Sequence, residues 1–196
     1  MQKDVLLERM KEVVEKEGSA RESAKRFAYE VLPSMLDNLL DDFAGFLLNA
    51  LNNGYIPMDW TLDSYTDSHF LWLMKGNYGM EINWLDCSSR AVHLGLTEQE
   101  LTERGICPPK PRVTLYLRKC PHIMVEAYYR DANIGNMEKA LEEKLKDPQN
   151  AQCRAKDEEE KRRREELEHA REESERFWNT VKESADWEVY HYPFHW

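Results

Sequence analysis

The sequence predicts an α+β fold, in which N-terminal helices pack on a small antiparallel sheet and a long charged C-terminal helix and an aromatic tail follow. Apolar residues recur at helical spacing in the first third, alternate every second residue in the middle, and give way to charged residues in the last third. Helices followed by strands are typical of the α+β class. We expect a globular domain over 1–135, a charged helical arm over 136–186 and an aromatic tail over 187–196.

Two helices are predicted before residue 33. One face of the first carries Val5, Leu6, Met10, Val13 and Val14. Gly18 is expected to end this helix, and Ser19 and Glu22 have the spacing of a capping box that would begin the second. Pro33 would end the second helix, because proline lacks a backbone N–H and clashes with the preceding turn.

A third helix is predicted to begin at Ser34, which stands three residues before Asp37 in a capping-box pattern. Its apolar residues cover more than half of the helix circumference until Asn53 and Gly54. A helix that is apolar over such a width is usually the central helix of its domain.

The middle of the chain changes to the period of strands. The segments 70–74 and 80–84 flank a Gly-containing turn, which predicts a hairpin. Thr97 and Glu100 form a capping-box pattern that begins a short helix ending at Gly105. Two further strands are expected over 113–117 and 123–129, with the turn between them at 119–122.

The last third is dominated by charged residues, which account for 18 of the 23 positions from 154 to 176. A short helix is predicted over 137–146 and a long one over about 151–184. Acid-first pairs four residues apart run from Asp157–Lys161 to Glu160–Arg164, and each stabilises an exposed helix by roughly 0.2–0.5 kcal/mol. This stretch can therefore be helical without packing against another element.

The C-terminal helix and the tail are the predicted site of partner binding. Leu167, Ala170, Ser174, Phe177 and Val181 are spaced 3, 4, 3 and 4 apart, which is the spacing of a short coiled-coil seam. Aromatic residues dominate interface hot spots. The predicted contact residues are Leu167, Phe177, Trp178, Val181, Trp187, Tyr190, Tyr192, Phe194 and Trp196.

We therefore expect a non-enzymatic interaction protein, either an adaptor, an inhibitor or an assembly subunit, that binds a protein partner or itself. The alternative that the tail folds back on its own domain stays open. We expect no cofactor and no membrane partner. A net charge of −10 disfavours nucleic acid as a partner, because phosphates are repelled at long range. Small acidic proteins of this kind also suggest a phage or mobile-element source.

The four cysteines lack paired CxxC spacing, and the N-terminus lacks the pattern of a secretory signal. Both observations predict reduced thiols and a cytoplasmic location. Cys120 and His122 form the closest candidate pair of zinc ligands, but one pair does not supply the four ligands that structural zinc needs. We therefore expect a turn there, and no metal.

One alternative function is a metal-assisted hydrolase or nuclease. Asp59, Asp63 and Asp67 recur every four residues, so on a helix their carboxylates would share one face and could hold a divalent cation. His69 or His93 would serve as the acid–base group. The ordinary interpretation of the three aspartates is a solvated loop or helix start.

A second alternative is an acidic nucleic-acid mimic that inhibits a DNA- or RNA-handling protein. It would use the acidic residues Glu30, Asp37, Asp41, Asp42, Glu138, Glu142 and Glu143. Against this, the overall charge density is far below one charge per about 1.7 Å of duplex axis.

Overall fold

The computed structural model describes residues 2–16, 20–107 and 110–184, with side chains up to residue 180. The helices are α1 (Gln2–Lys16), α2 (Glu22–Arg26), α3 (Leu32–Met35), α4 (Asp41–Asn52), α5 (Cys87–Leu94), α6 (Glu98–Glu103), α7 (Ile134–Lys146) and α8 (Ala151–Ser184). The strands are β1 (Ile56–Asp63), β2 (Ser68–Lys75), β3 (Tyr78–Leu85), β4 (Arg112–Leu117) and β5 (Cys120–Tyr128). The α+β class is confirmed.

The first helix forms as its apolar spacing predicts. Leu6, Met10, Val13 and Val14 are buried. Val5 is 52% exposed, so the buried stripe of α1 is narrower than the predicted one.

The second helix differs from its prediction at both ends. It begins at Glu22 with Arg21 as the N-cap residue, and Ser19 lies outside the described residues. The backbone N–H of Arg21 donates to the carbonyl of Met58, so a contact with the sheet sets this start. Pro33 does not end the helix: a π-helical turn, Phe27–Val31, links α2 directly to α3. Such a turn widens the helix just before Pro33, where the proline would otherwise clash with the preceding turn.

The third helix was predicted to begin at Ser34, and this prediction is wrong. The Ser34 hydroxyl donates to the carbonyl of Val31 inside the preceding helix, and α4 begins at Asp41 after an extended Leu40. The break between α3 and α4 lets the Leu39 side chain pack into the core. A single straight helix that is apolar around most of its circumference could not bury all of its apolar side chains on one side. The predicted end is confirmed, because Asn53 is the C-cap residue and Gly54 has a φ of +84°.

The sheet is an antiparallel meander in the order β1-β2-β3-β4-β5. The β2–β3 hairpin, strand β4 and strand β5 confirm the predictions from alternation. Cys120 and His122 lie in β5, so the turn before it is shorter than expected. Strand β1 and helix α5 were not predicted from the sequence. The capping box of α6 between Thr97 and Glu100 is confirmed, with both hydrogen bonds present.

One face of the sheet and the helices enclose the main core. The sheet contributes the fully buried side chains of Leu71, Leu73, Met80, Ile82, Val113 and Leu115. Helix α7 adds Met137 and Leu141 to the same cluster, so this core extends beyond residue 135. The contacts divide the chain into two units, one ending at Arg154 and one beginning at Ala155.

The prediction of four reduced cysteines is wrong. Disulfides join Cys87 to Cys107 and Cys120 to Cys153, so all four cysteines are paired. Spacing along the chain did not indicate the pairing, because the bonded residues are 20 and 33 positions apart and come together only in the tertiary fold. The bond to Cys153 also removes the Cys120 thiol from the candidate zinc pair.

None of the helices in the described part of the chain combines the length and the hydropathy that crossing a bilayer requires.

Candidate functional site

Large apolar side chains on α8 form the first candidate site. Leu167 is 63% exposed, Phe177 is 62% exposed and Trp178 is 58% exposed. The rings of Phe177 and Trp178 meet edge to face with centroids 5.6 Å apart. Phe177 and Trp178 therefore form a contiguous exposed aromatic pair, and contiguous exposed apolar surface, unlike single exposed residues, marks interaction sites.

The rest of this helix is stabilised by ion pairs along its own surface. The predicted Asp157–Lys161 pair is present at 3.1 Å. Further pairs link Arg171 to Glu175 at 3.1 Å and Glu172 to Arg176 at 3.6 Å. The two Arg–Glu pairs are exposed and contribute only a few tenths of a kcal/mol each, whereas the Asp157 side chain is only 10% exposed. Together they favour a helix whose apolar residues do not need to pack on their own chain.

The heptad positions of α8 place opposite charges on the two flanks of the apolar seam. With Leu167 and Ser174 at position a, the g positions on one flank are Glu159, Glu166 and Glu173. The e positions on the other flank include Arg164 and Arg171. In coiled coils these flanking positions set partner choice and orientation.

The remaining predicted contact residues are not tested by the structure. Val181 is part of α8, but its side chain is outside the described residues. The tail residues lie wholly outside the described residues, namely Trp187, Tyr190, Tyr192, Phe194 and Trp196.

The three aspartates proposed as metal ligands each have a different partner. Asp59 accepts hydrogen bonds from Arg21 and Ser23. Asp63 lies about 13 Å further along the same strand, at 3.3 Å per residue, and its hydrogen bond from Thr66 lowers its pKa.

Asp67, the third of these aspartates, is buried in the turn after β1. Its carboxylate contacts Arg90 at 3.4 Å and His93 at 3.3 Å. Within the described residues, no group of three or more His, Cys, Asp or Glu side chains is placed to hold a metal. This geometry does not support a hydrolase that uses Asp59, Asp63 and Asp67 together.

Several acidic residues considered for nucleic-acid mimicry are paired with basic side chains. Asp42 contacts Arg130 at 2.8 Å, and Asp41 contacts Lys3 at 3.6 Å. Glu143 contacts Lys146 at 2.6 Å. Pairing reduces the negative field that a row of phosphates would have to imitate.

A cavity of about 580 Å³ in the first unit forms the second candidate site. Its apolar wall includes Val31, Met35, Leu39, Phe43, Trp60 and Trp84. Polar residues at its edge include Arg26, Asp86, Ser88 and Glu98. The volume lies within the range of small-molecule sites, which are mostly apolar with a few polar groups.

A buried hydrogen-bonded chain forms one wall of this cavity. The indole N–H of Trp60 donates to His69 Nδ1 at 3.2 Å, and His69 Nε2 lies 3.2 Å from Asp86 Oδ2. Because His69 Nδ1 accepts a hydrogen bond, the neutral imidazole carries its proton on Nε2. The Nε2–H group then donates a hydrogen bond to Asp86. This hydrogen bond is the main reason that the pKa of Asp86 is lowered. Both nitrogens of His69 are therefore occupied by protein groups, which leaves neither to take a proton from a substrate.

Trp84 occupies an unusual position in the same wall. It stacks on the His69 ring with centroids 5.0 Å apart and an interplanar angle of 12°. The side chain is only 3% exposed, and its indole N–H has no hydrogen-bond partner among the described residues. Buried polar groups in native proteins are nearly always hydrogen-bonded, so this donor requires an explanation.

From the sequence, His69 was expected only as a companion of the aspartates, and the cavity was not predicted. Its lining combines residues of the five helices α2 to α6 and of the three strands β1 to β3. The one available signal was the alternation in β3, which placed Met80, Ile82 and Trp84 on one buried face.

Comparison of the chain with protein-family models, with curated proteins and with solved structures finds no significant match. The geometry of the two candidate sites therefore carries the functional argument alone.

Proposed function

We propose that this protein is a non-enzymatic interaction protein that associates with a second copy of itself through α8, paired in parallel. The observation that carries the proposal is the exposure of Leu167, Phe177 and Trp178 on a helix that is otherwise charged. Pairing two copies would bury this apolar surface, and the burial of apolar surface is the main force in protein association.

The flanking charges support a second copy as the occupant. In a parallel pair, each g residue faces the e residue five positions further along the partner helix. Glu166 of each copy would then face Arg171 of the other, and Glu159 would face Arg164. In an antiparallel pair, g faces g and e faces e, which would bring Glu against Glu and Arg against Arg. The charge pattern therefore favours the parallel arrangement.

The apolar seam is short, since Glu160 and Arg163 occupy the a and d positions before Leu167. We therefore propose a weak, concentration-dependent dimer rather than a permanent one. In this proposal the tail residues from Trp187 to Trp196 extend the contact surface. The adaptor and inhibitor interpretations differ only in what occupies the surface.

The first experiment measures the mass of the full chain by sedimentation equilibrium at concentrations up to about 0.5 mM. We expect a monomer–dimer equilibrium. Glu166→Arg places Arg opposite Arg171 of the other copy, and we expect this variant to be monomeric. Glu165→Arg makes the same change one residue away, at the outward f position, and it should dimerise like the parent chain.

Charge exchange tests the orientation. Arg171→Glu alone should also be monomeric, because Glu166 would face Glu. An equimolar mixture of Glu166→Arg and Arg171→Glu restores both opposite-charge contacts, so a heterodimer should form. A full chain that stays monomeric at about 0.5 mM contradicts the proposal. So does a mixture that behaves like its separate components.

The location and source expected from the sequence stay predictions. Disulfides persist mainly in oxidising compartments, so the two in this structure weigh against the predicted cytoplasmic location. Mass spectrometry of alkylated protein from its native source would show whether the four cysteines are reduced. The phage or mobile-element source was expected from size and acidity alone.

A further inference from the structure

We propose that reduction of the disulfide between Cys120 and Cys153 forms a zinc site, in which the two thiolates and the imidazole of His122 bind one Zn²⁺ ion. All three residues belong to the first unit, which ends at Arg154. The residues proposed for self-association begin at Glu159, so the two sites share no residue.

The fold brings a third donor to the one close pair of ligands that the sequence contains. Cys120 begins β5, and His122 follows two positions later in the same strand. Cys153 lies in the first turn of α8, 33 positions from Cys120. His122 Nε2 lies 3.8 Å from the Cys153 sulfur. Because sulfur is only a weak hydrogen-bond acceptor, hydrogen bonding gives little reason for this contact.

The distance between His122 and Cys153 is close to the one that zinc requires. Zn²⁺ binds thiolate sulfur at about 2.3 Å and imidazole nitrogen at about 2.0–2.1 Å, so tetrahedral geometry places the two atoms about 3.6 Å apart. The observed 3.8 Å needs to change by only about 0.2 Å. Two thiolates on the same ion lie about 3.8 Å apart. The Cα atoms of the two cysteines are 6.0 Å apart, and rotation about each Cα–Cβ bond moves the sulfur without moving the backbone.

Reduction supplies two of the three donors. A dithiol gives two electrons and two protons to the disulfide, so its own sulfurs form a new disulfide while Cys120 and Cys153 become thiols. Zn²⁺ then replaces the two thiol protons, which are released to solvent. In the oxidised chain the two sulfurs are bonded to each other, and neither is a thiolate. The zinc site therefore exists only in the reduced chain.

The donor set selects zinc over the common hard cations. Thiolate and imidazole ligands suit Zn²⁺, whereas Mg²⁺ and Ca²⁺ prefer oxygen ligands. Cys120 is 4% exposed and Cys153 is 9% exposed, so two uncompensated thiolates would be costly there. The ion cancels both of these charges. Since His122 is exposed, water completes the four-coordinate shell from that side.

The test uses the full chain, reduced with a dithiol and then desalted in the absence of oxygen. Co²⁺ is the first probe, because thiolate ligands give it an intense charge-transfer absorption in the near ultraviolet. We expect this absorption to saturate at one Co²⁺ per chain and to disappear when Zn²⁺ displaces the cobalt. The Kd for Zn²⁺ should be about 1 μM or tighter, and a large excess of Mg²⁺ should not compete. The oxidised chain should show no such absorption.

Matched cysteine variants locate the site. Changing Cys120 and Cys153 together to Ser should abolish the cobalt absorption. Changing Cys87 and Cys107, the other disulfide pair, together to Ser should leave it unchanged. Because both disulfides are open in the reduced chain, neither double variant lacks a cross-link that the reduced parent retains.

Matched histidine variants test the third ligand. His122→Ala should weaken zinc binding at least about 100-fold, because losing a direct ligand has a larger effect than losing an outer-shell partner. His169→Ala removes an exposed histidine of α8 and should bind zinc like the parent chain.

A second measurement keeps the test decisive if a variant does not fold. In the reduced parent chain, zinc should raise the melting temperature and slow the alkylation of Cys120 and Cys153 by iodoacetamide, as read by peptide mass spectrometry. It should not change the alkylation of Cys87 and Cys107.

Three results would overturn the proposal. The first is the absence of thiolate-to-cobalt absorption in the reduced parent chain. The second is zinc binding that is unchanged in His122→Ala. The third is equal protection of all four cysteines by zinc, which would mean that the ion binds thiols without a formed site.

Discussion

The hydrogen bond between Trp60 and His69 offers a direct test of how this fold is held together beside the cavity. Trp60→Phe removes the indole donor and leaves His69 Nδ1 buried without a partner. His69→Phe leaves the Trp60 indole N–H and one Asp86 carboxylate oxygen without their hydrogen-bond partner. A buried group that loses its partner destabilises a protein by about 1–3 kcal/mol. We therefore expect each single variant to lower the free energy of unfolding by at least 1–2 kcal/mol.

The double variant separates this hydrogen bond from the loss of packing. With both residues changed to Phe, neither side of the Trp60–His69 contact retains an unsatisfied polar atom. The combined destabilisation should therefore be smaller than the sum of the two single values by about 1–2 kcal/mol. Urea unfolding at neutral pH, followed by near-ultraviolet circular dichroism, measures all four free energies and avoids the helical signal of α8.

A matched cycle supplies the control. Tyr55 lies five residues before Trp60, roughly 16 Å along an extended chain, and its hydroxyl donates to Glu138 instead. Trp60→Phe and Tyr55→Phe should therefore be additive within about 0.5 kcal/mol. If the destabilisations caused by Trp60→Phe and His69→Phe are equally additive, the hydrogen bond between Trp60 and His69 does not couple the two residues, and the expected coupling is refuted.

Three further predictions concern other parts of the first unit. The hydrogen bond from His69 lowers the pKa of Asp86 below its ordinary value of 3.8. The ionised Asp86 carboxylate therefore stabilises the fold at pH values above 3.8, and this stabilisation is lost as the pH falls through the pKa of Asp86 in the folded state. Asp86→Asn should therefore reduce the acid-induced decrease in melting temperature. Changing Cys120 and Cys153 together to Ser should lower the free energy of unfolding by about 3.7 kcal/mol for a separation of 33 residues, measured by urea titration without reductant. In Gly79→Ala the new Cβ would overlap the ring of Tyr116, so we expect a loss of about 1–3 kcal/mol that an added Tyr116→Ala reduces.

Local patterns predicted the elements whose structure depends on neighbouring residues. The capping box at Thr97 and Glu100 forms because both hydrogen bonds lie within one turn. The β2–β3 hairpin forms because alternation and a Gly-containing turn act together. Their physical causes lie within a few positions of each other, so the sequence alone was sufficient.

Strand β1 was missed because its sequence contains residues that weaken a strand prediction. Pro57 and Asp59 flank an irregularity in the pairing with β2. Since β1 is an edge strand, it tolerates a proline that a central strand would not. The mistaken idea of Asp59 and Asp63 on a helical face followed from this miss. In a strand, the two carboxylates are too far apart to share a cation.

The spacing of three tryptophans illustrates why the cavity could not be predicted. Trp60, Trp72 and Trp84 are twelve residues apart in sequence. In the sheet, Trp60 and Trp84 are buried in the cavity wall. Trp72 instead donates a hydrogen bond from its indole N–H to Glu81 and does not line the cavity. The equal spacing reflects strands of similar length. Which face of the sheet each tryptophan side chain lies on depends on the register, and the register is set by the pairing between strands.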